Sequence, residues 1–154
     1  MTKAASAAQS AALARLQDAF QSKDRDEVEA ALVHAWSAGL HVSMGDALIR
    51  LAEAPWHTRH EDVVRGMQQL RYGPAVPALE LMAHAAFDYL AYDNFFGLAR
   101  KCTWALADIG TPEALSALER LSQSGNPLIA GYARKRIDRW QDELARKSER
   151  TDSL

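Results

Sequence analysis

The chain has 154 residues, 48% of them hydrophobic and 25% charged, a net charge of -2 at pH 7 and a mean hydropathy of -0.27. These numbers suit one folded domain, make no global electrostatic case for nucleic acid, and come with no apolar run near the ~20 residues a membrane-spanning helix needs. A single cysteine, Cys102, excludes an internal disulfide and a Cys-rich metal site, and a cytoplasmic setting is expected.

The opening MTKAASAAQSAALARL has no Leu-rich apolar segment, so an Ala-rich helix is expected there and not a secretory signal. Eight helices follow from the spacing of apolar residues and from the stop signals, at about 4–21, 25–38, 44–54, 59–71, 74–86, 95–109, 112–123 and 127–147. No strand is expected. Thr58 and Glu61 are spaced as a capping box ahead of Val63, and Thr111-Pro112 and Asn126-Pro127 each place a cap before a first-turn proline. Gly39, Gly73 and Gly110 stand where helices should stop, since glycine enters the left-handed cap without penalty.

The helices repeat in pairs. ALARL at 12–16, ALIRL at 47–51, AVPAL at 75–79 and ALSAL at 114–118 are each followed by an i, i+4, i+7 stripe: Val28/Leu32/Ala35, Val63/Met67/Leu70, Leu98/Cys102/Ala105 and Tyr132/Arg136/Arg139. The stripes begin at steps of 35, 35 and 34 residues. An all-α solenoid of four helix pairs is therefore expected, with repeats at about 4–40, 41–73, 74–110 and 111–147 and a flexible tail at 148–154. Arg136 and Arg139 break the fourth stripe, as befits a terminal repeat whose outer face meets water. Ile137 and Trp140 should still anchor that helix, and Glu143 lies four residues before Lys147 for an ion pair.

From the first-helix Leu to the second-helix start the gaps are 12, 12, 19 and 14 residues, so repeat three carries about seven extra residues. They belong to FDYLAYDNFFG, Phe87–Gly97, with five aromatic rings and two carboxylates. Insertions in solenoids emerge as loops on one side, often the binding one. Phe87, Leu90 and Phe95 or Phe96 can fold back as a plug over the helix ends. Asp88, Tyr89, Tyr92 and Asp93 are harder to bury and suit a partner surface, although Asp93 or Asn94 also suits a cap for the sixth helix. Phe96 joins them as a candidate contact. Second helices line the concave face of a solenoid, so Lys101, Trp104 and Asp108 are candidates for its floor. Arg100 is one turn from Trp104 and placed to stack on it; packing of Trp104 between repeats is the alternative. Trp56 lies in an inter-helix loop and is expected on the same edge as the insertion.

Other constellations carry little. His57, His60 and Glu61 lack the spacing of a zinc-binding H-E-x-x-H, so no metal and no cofactor is expected. Cys102 sits on the core stripe, away from the electropositive setting a reactive thiol wants. No phosphate loop, nucleophile elbow or paired-carboxylate cleft marks a catalytic site. ARKRIDRW, 133–140, is the best nucleic-acid candidate, but Asp138 interrupts it and its arginines suit a terminal cap.

LARKCTWALADIGTPEALSALERL, residues 98–121, resembles the HEAT-like repeat of bacterial proteins: an Arg-bearing second helix, then Ala-Leu and Ile-Gly, then a first helix opened by Thr-Pro. The resemblance is close over 74–140 and weaker over 12–72. It implies that Arg65, Arg100 and Arg134 tie neighbouring repeats together. It also implies a non-enzymatic protein-binding module, most specifically an immunity protein that neutralises a cognate toxin, with a basic toxin domain as partner. The rivals are an enzyme or cofactor-handling protein of the bilin-lyase kind, with a deep pocket at Trp56, His57, Tyr92 and Trp104, and a nucleic-acid-binding helical repeat. No membrane association and no small-molecule ligand are expected.

Overall fold

The computed structural model describes residues 3–152, with side chains to residue 146. Helices α1 (Ala7–Ser22), α2 (Arg25–Ala38), α3 (Gly45–Glu53), α4 (His60–Leu70), α5 (Val76–Ala83), α6 (Gly97–Ile109), α7 (Pro112–Leu121), α8 (Pro127–Asp138) and α9 (Trp140–Asp152) follow in order. There is no strand among the described residues. The chain is all-α, its helices paired and stacked in the manner of a solenoid.

The four repeated strings lie in the first helix of each pair or lead into it. Their Leu residues, Leu16, Leu51, Leu79 and Leu118, are fully buried. Each first helix packs on the next, α1 on α3, α3 on α5 and α5 on α7. The second helices form the other layer, α4 on α6 and α6 on α8. Between the layers runs one hydrophobic core, from Ala12 in α1 to Trp140 in α9. Hydrophobic burial of this kind, with each pair covering its neighbour, is what stabilises a repeat stack.

Helix ends follow local chemistry. Thr111 accepts from Ala114 N–H, and Asn126 accepts from Leu128 and Ile129 N–H, as their sequence positions predict. Gly39 and Gly110 close α2 and α6 at φ 90° and 72°. Two expectations fail here. Thr58 and Glu61 form no capping box: α4 starts at His60 behind Arg59, which makes no side-chain cap, and Glu61 is drawn away to Lys101. Gly73 is no stop either; Arg71 takes the left-handed cap at φ 48°, and Gly73 opens a 3-10 turn that leads into α5.

The end of the chain departs most from expectation. The long last helix breaks at Arg139 into α8 and α9. Trp140 is buried and Leu144 half-buried against the core. Arg136, expected to face water, is only 3% exposed, bonded to Glu143 at 2.8 Å and stacked on Trp104. α9 supplies the cover that a further repeat would have supplied, so the guanidinium is enclosed. The Lys147 side chain lies outside the described residues, and so does its pairing with Glu143. Of the tail expected at 148–154, residues 153 and 154 lie outside the described residues, and the remainder prolongs α9.

Candidate functional site

The insertion begins where α5 ends at Ala83 and carries a single 3-10 turn, Asp88–Leu90. Its root and its tip have opposite characters.

The root is held by a row of rings. Trp56 sits 6.4 Å from Phe20 and edge-on to His57 at 5.5 Å. His57 stacks on His60 at 4.0 Å, and His60 stacks on Phe87 at 3.8 Å. Tyr89 lies 5.8 Å from His60. Both histidines are buried, and their hydrogen bonds assign their protons. Because a carbonyl only accepts, His57 Nε2–H donates to Leu51 C=O at 2.7 Å, and His57 Nδ1 accepts from Arg59 N–H at 3.0 Å. His60 Nε2–H donates to Ala54 C=O at 2.7 Å. The Tyr89 hydroxyl donates to His60 Nδ1 at 2.8 Å and accepts from His60 N–H at 3.2 Å.

Every polar atom of the two imidazoles is thus satisfied in the neutral form. Burial holds His60 down to about 4 and His57 below its ordinary value, since charge is costly where water is excluded. Burial also pushes the Tyr89 phenol up.

Tyr89, expected in a partner surface, is therefore half-buried with its hydroxyl bound to His60, and Phe87 and Leu90 pack on the core. Trp56 shares this edge, as expected, but half-buried within the row. Sequence reasoning missed the histidines as anchors. Their i, i+3 spacing was visible, but a ring arriving from residues 87–89 has no local signal.

The tip points outward. Tyr92 is 80% exposed, Phe95 72% and Phe96 42%, and Asp88 is also exposed. Phe95 belongs to this surface beside the expected Tyr92 and Phe96. Asp93 accepts from Phe95 N–H at 2.9 Å and Gly97 N–H at 2.8 Å, which lowers its pKa; it caps the first N–H of α6 from outside the N-cap position, where Phe96 makes no side-chain bond. A Cβ on Gly97 would stand 2.6 Å from that carboxylate oxygen, so the cap needs glycine there. Phe96 itself adopts φ 55°, ψ 51°, a left-handed conformation that costs a residue with a Cβ about 1–2 kcal/mol. Tyr132 of α8 donates its hydroxyl to the Phe95 carbonyl.

The three floor candidates on α6 cross-link repeats. Lys101 pairs with Glu61 of α4, Asp108 accepts from Gln68 of α4 at 2.7 Å, and Trp104, 40% exposed, carries the Arg136 guanidinium 3.5 Å from its ring centroid. The stacking partner of Trp104 is thus Arg136, where Arg100 was expected. Arg65 stacks at 4.8 Å on Trp36 of the preceding pair, while Arg134 bonds the Ser122 carbonyl at the end of α7.

Two cavities flank these elements. One of about 490 Å³ lies between the insertion, the start of α6 and the α7–α8 turn, lined by Phe87, Leu90, Phe96 and Ile129 among others. A smaller one, about 260 Å³, lies between α2 and α4 around Trp36 and Arg65. Neither is lined by Trp56, His57, Tyr92 or Trp104, so the pocket those four were expected to form is not one of these two. No group of His, Cys, Asp and Glu that could hold a metal occurs among the described residues. No described helix is long and apolar enough to cross a membrane.

Residues 98–124 match the family model of the PBS lyase HEAT-like repeat. That span covers α6, α7 and the turn after them, one second helix followed by the next first helix. That match to one repeat unit, set among paired helices on either side, supports a HEAT-like repeat architecture. No curated protein and no solved structure matches the chain.

Proposed function

We propose that this chain is a non-enzymatic protein-binding module whose contact surface is the tip of the insertion, and that it acts as an immunity protein against a cognate toxin. The observation that carries the reading is the contrast within eleven residues. A root fixed by rings and hydrogen bonds presents Tyr92, Phe95 and Phe96 to solvent. Large rings held rigid and exposed are what protein interfaces use as anchors, because little conformational entropy is lost on docking. A left-handed phenylalanine at the tip is strain of the kind that accumulates at functional sites. Asp88 at the same edge, on a chain of net charge -2, suits a basic partner such as a toxin domain that binds phosphates.

Asp93 is left out of the test, because it caps α6 and its loss would unsettle the fold. The variant is Tyr92→Ala with Phe95→Ala. Affinity capture with wild type and variant in parallel is followed by growth assays in which the captured protein is expressed with and without this chain. One partner held about tenfold or more weakly by the variant, toxic alone and harmless in company, is the expected result. A partner held equally by both, or one with no toxicity, overturns the reading.

A second reading rests on the cavity of about 490 Å³, whose size lies in the range of small-molecule sites. Thermal shift against a small-molecule set separates the two: a ligand that stabilises the chain and is insensitive to Tyr92→Ala favours the cavity.

A further inference from the structure

His57 and His60 are buried, stacked 4.0 Å apart, and already carry a proton on Nε2. A second proton on either ring must go to Nδ1. On His57 it would point at the Arg59 N–H, a donor against a donor. On His60 it would point at the Tyr89 hydroxyl, which would have to surrender its donated bond while still accepting from the His60 N–H. Two imidazolium rings at that separation repel, and His60 occupies the first position of α4, where the helix dipole opposes positive charge.

The charged groups around the pair offer no relief. The turn before α4 contributes Arg59, a cation already paired with Glu29 of α2 at 2.5 Å. From α4 come Glu61, paired with Lys101, and Asp62, 3.8 Å from Arg59. α3 offers only the carbonyls of Leu51 and Ala54, already occupied, and α1 offers Phe20. The insertion offers the Tyr89 hydroxyl, with Asp88 exposed beside it.

We propose that the stacked histidines are an acid-released latch: neutral, they clamp the root of the insertion to the α3–α4 turn, and protonation frees residues 87–97 while the helical stack persists. The stack is expected to persist because its core residues Leu51, Met67, Leu79, Leu106 and Leu118 lie in the helices, outside residues 87–97, and are fully buried. The closed form binds fewer protons than the open one, since burial holds His60 near 4 against an ordinary 6.5. The clamp is therefore fully present above pH 6.5 and lost as pH falls toward 4. An exposed tip that detaches from its root would lose its partner under the same conditions, a consequence that rests on the function proposed above.

The test is an NMR titration of the histidine rings and of the amides of 87–97 between pH 7.5 and 3.5, with helicity followed by circular dichroism in the same samples. The expected result is that both rings titrate well below 6.5 and the Phe87–Ala91 amides move with the same midpoint, while the signals of α7 and α8 and the helicity hold. Tyr89→Phe removes the donor to His60 Nδ1 and should raise the midpoint by about one pH unit. Rings that titrate near 6.5, an insertion that ignores their titration, loss of all helicity at the same midpoint, or an unmoved midpoint in Tyr89→Phe each overturn the latch. Should that variant fail to fold, the wild-type titration decides alone. None of these readouts requires a partner, so the latch and the proposed function fail separately.

Discussion

Two tyrosines three residues apart provide the sharpest test of the insertion's geometry. Tyr89→Phe removes one oxygen and keeps the ring, so packing against Phe87 and His60 is retained. What is lost is a hydroxyl bonded at 2.8 Å to His60 Nδ1 and at 3.2 Å to His60 N–H. Each buried group left without a partner costs about 1–3 kcal/mol; the two orphaned here are only part-buried, which puts each toward the low end, so a loss of about 2–4 kcal/mol follows. For a chain of this size each kcal/mol shifts Tm by ~2–4 °C, which places the fall at roughly 5–15 °C. Urea unfolding followed by circular dichroism measures it, and an unchanged m-value would confirm that the unfolded reference is the same. Tyr92→Phe is the control: its side chain is 80% exposed, and the change should stay within about 0.5 kcal/mol. Equal effects in the two variants, or a change under about 0.5 kcal/mol in Tyr89→Phe, would refute the divided insertion.

Other variants probe the frame. Arg136→Ala strands Glu143 and uncovers Trp104, and urea unfolding should show a loss of about 3–5 kcal/mol, the usual cost of breaking a buried pair from one side. Gly97→Ala sets up a contest: alanine gains up to ~1 kcal/mol of helix propensity, while displacing the Asp93 carboxylate forfeits charge-assisted bonds of about 1.5–3 kcal/mol. A net destabilisation of about 1 kcal/mol is expected in the same assay. Cys102 is fully buried and burial pushes its thiol up, so Ellman's reagent should label it only as fast as the protein unfolds. Immediate labelling of the native protein would show that the α6 stripe faces water.

Periodicity was enough to place the paired helices. Apolar residues at i, i+3 and i+4 determine which side of a helix can be buried, and that information is local. The steps of 35, 35 and 34 residues, the Thr111 and Asn126 caps and the position of the insertion were legible for the same reason. Tertiary structure alone decided which rings of FDYLAYDNFFG point inward. Phe87 and Tyr89 both meet His60, which lies 27 and 29 residues before them, and nothing near them in the chain announces that meeting. The same holds for Arg136, whose burial depends on α9 turning back at Arg139 to cover it. The polarity of a residue shows that it needs a partner or water, but only the packed helices determine which of the two it meets.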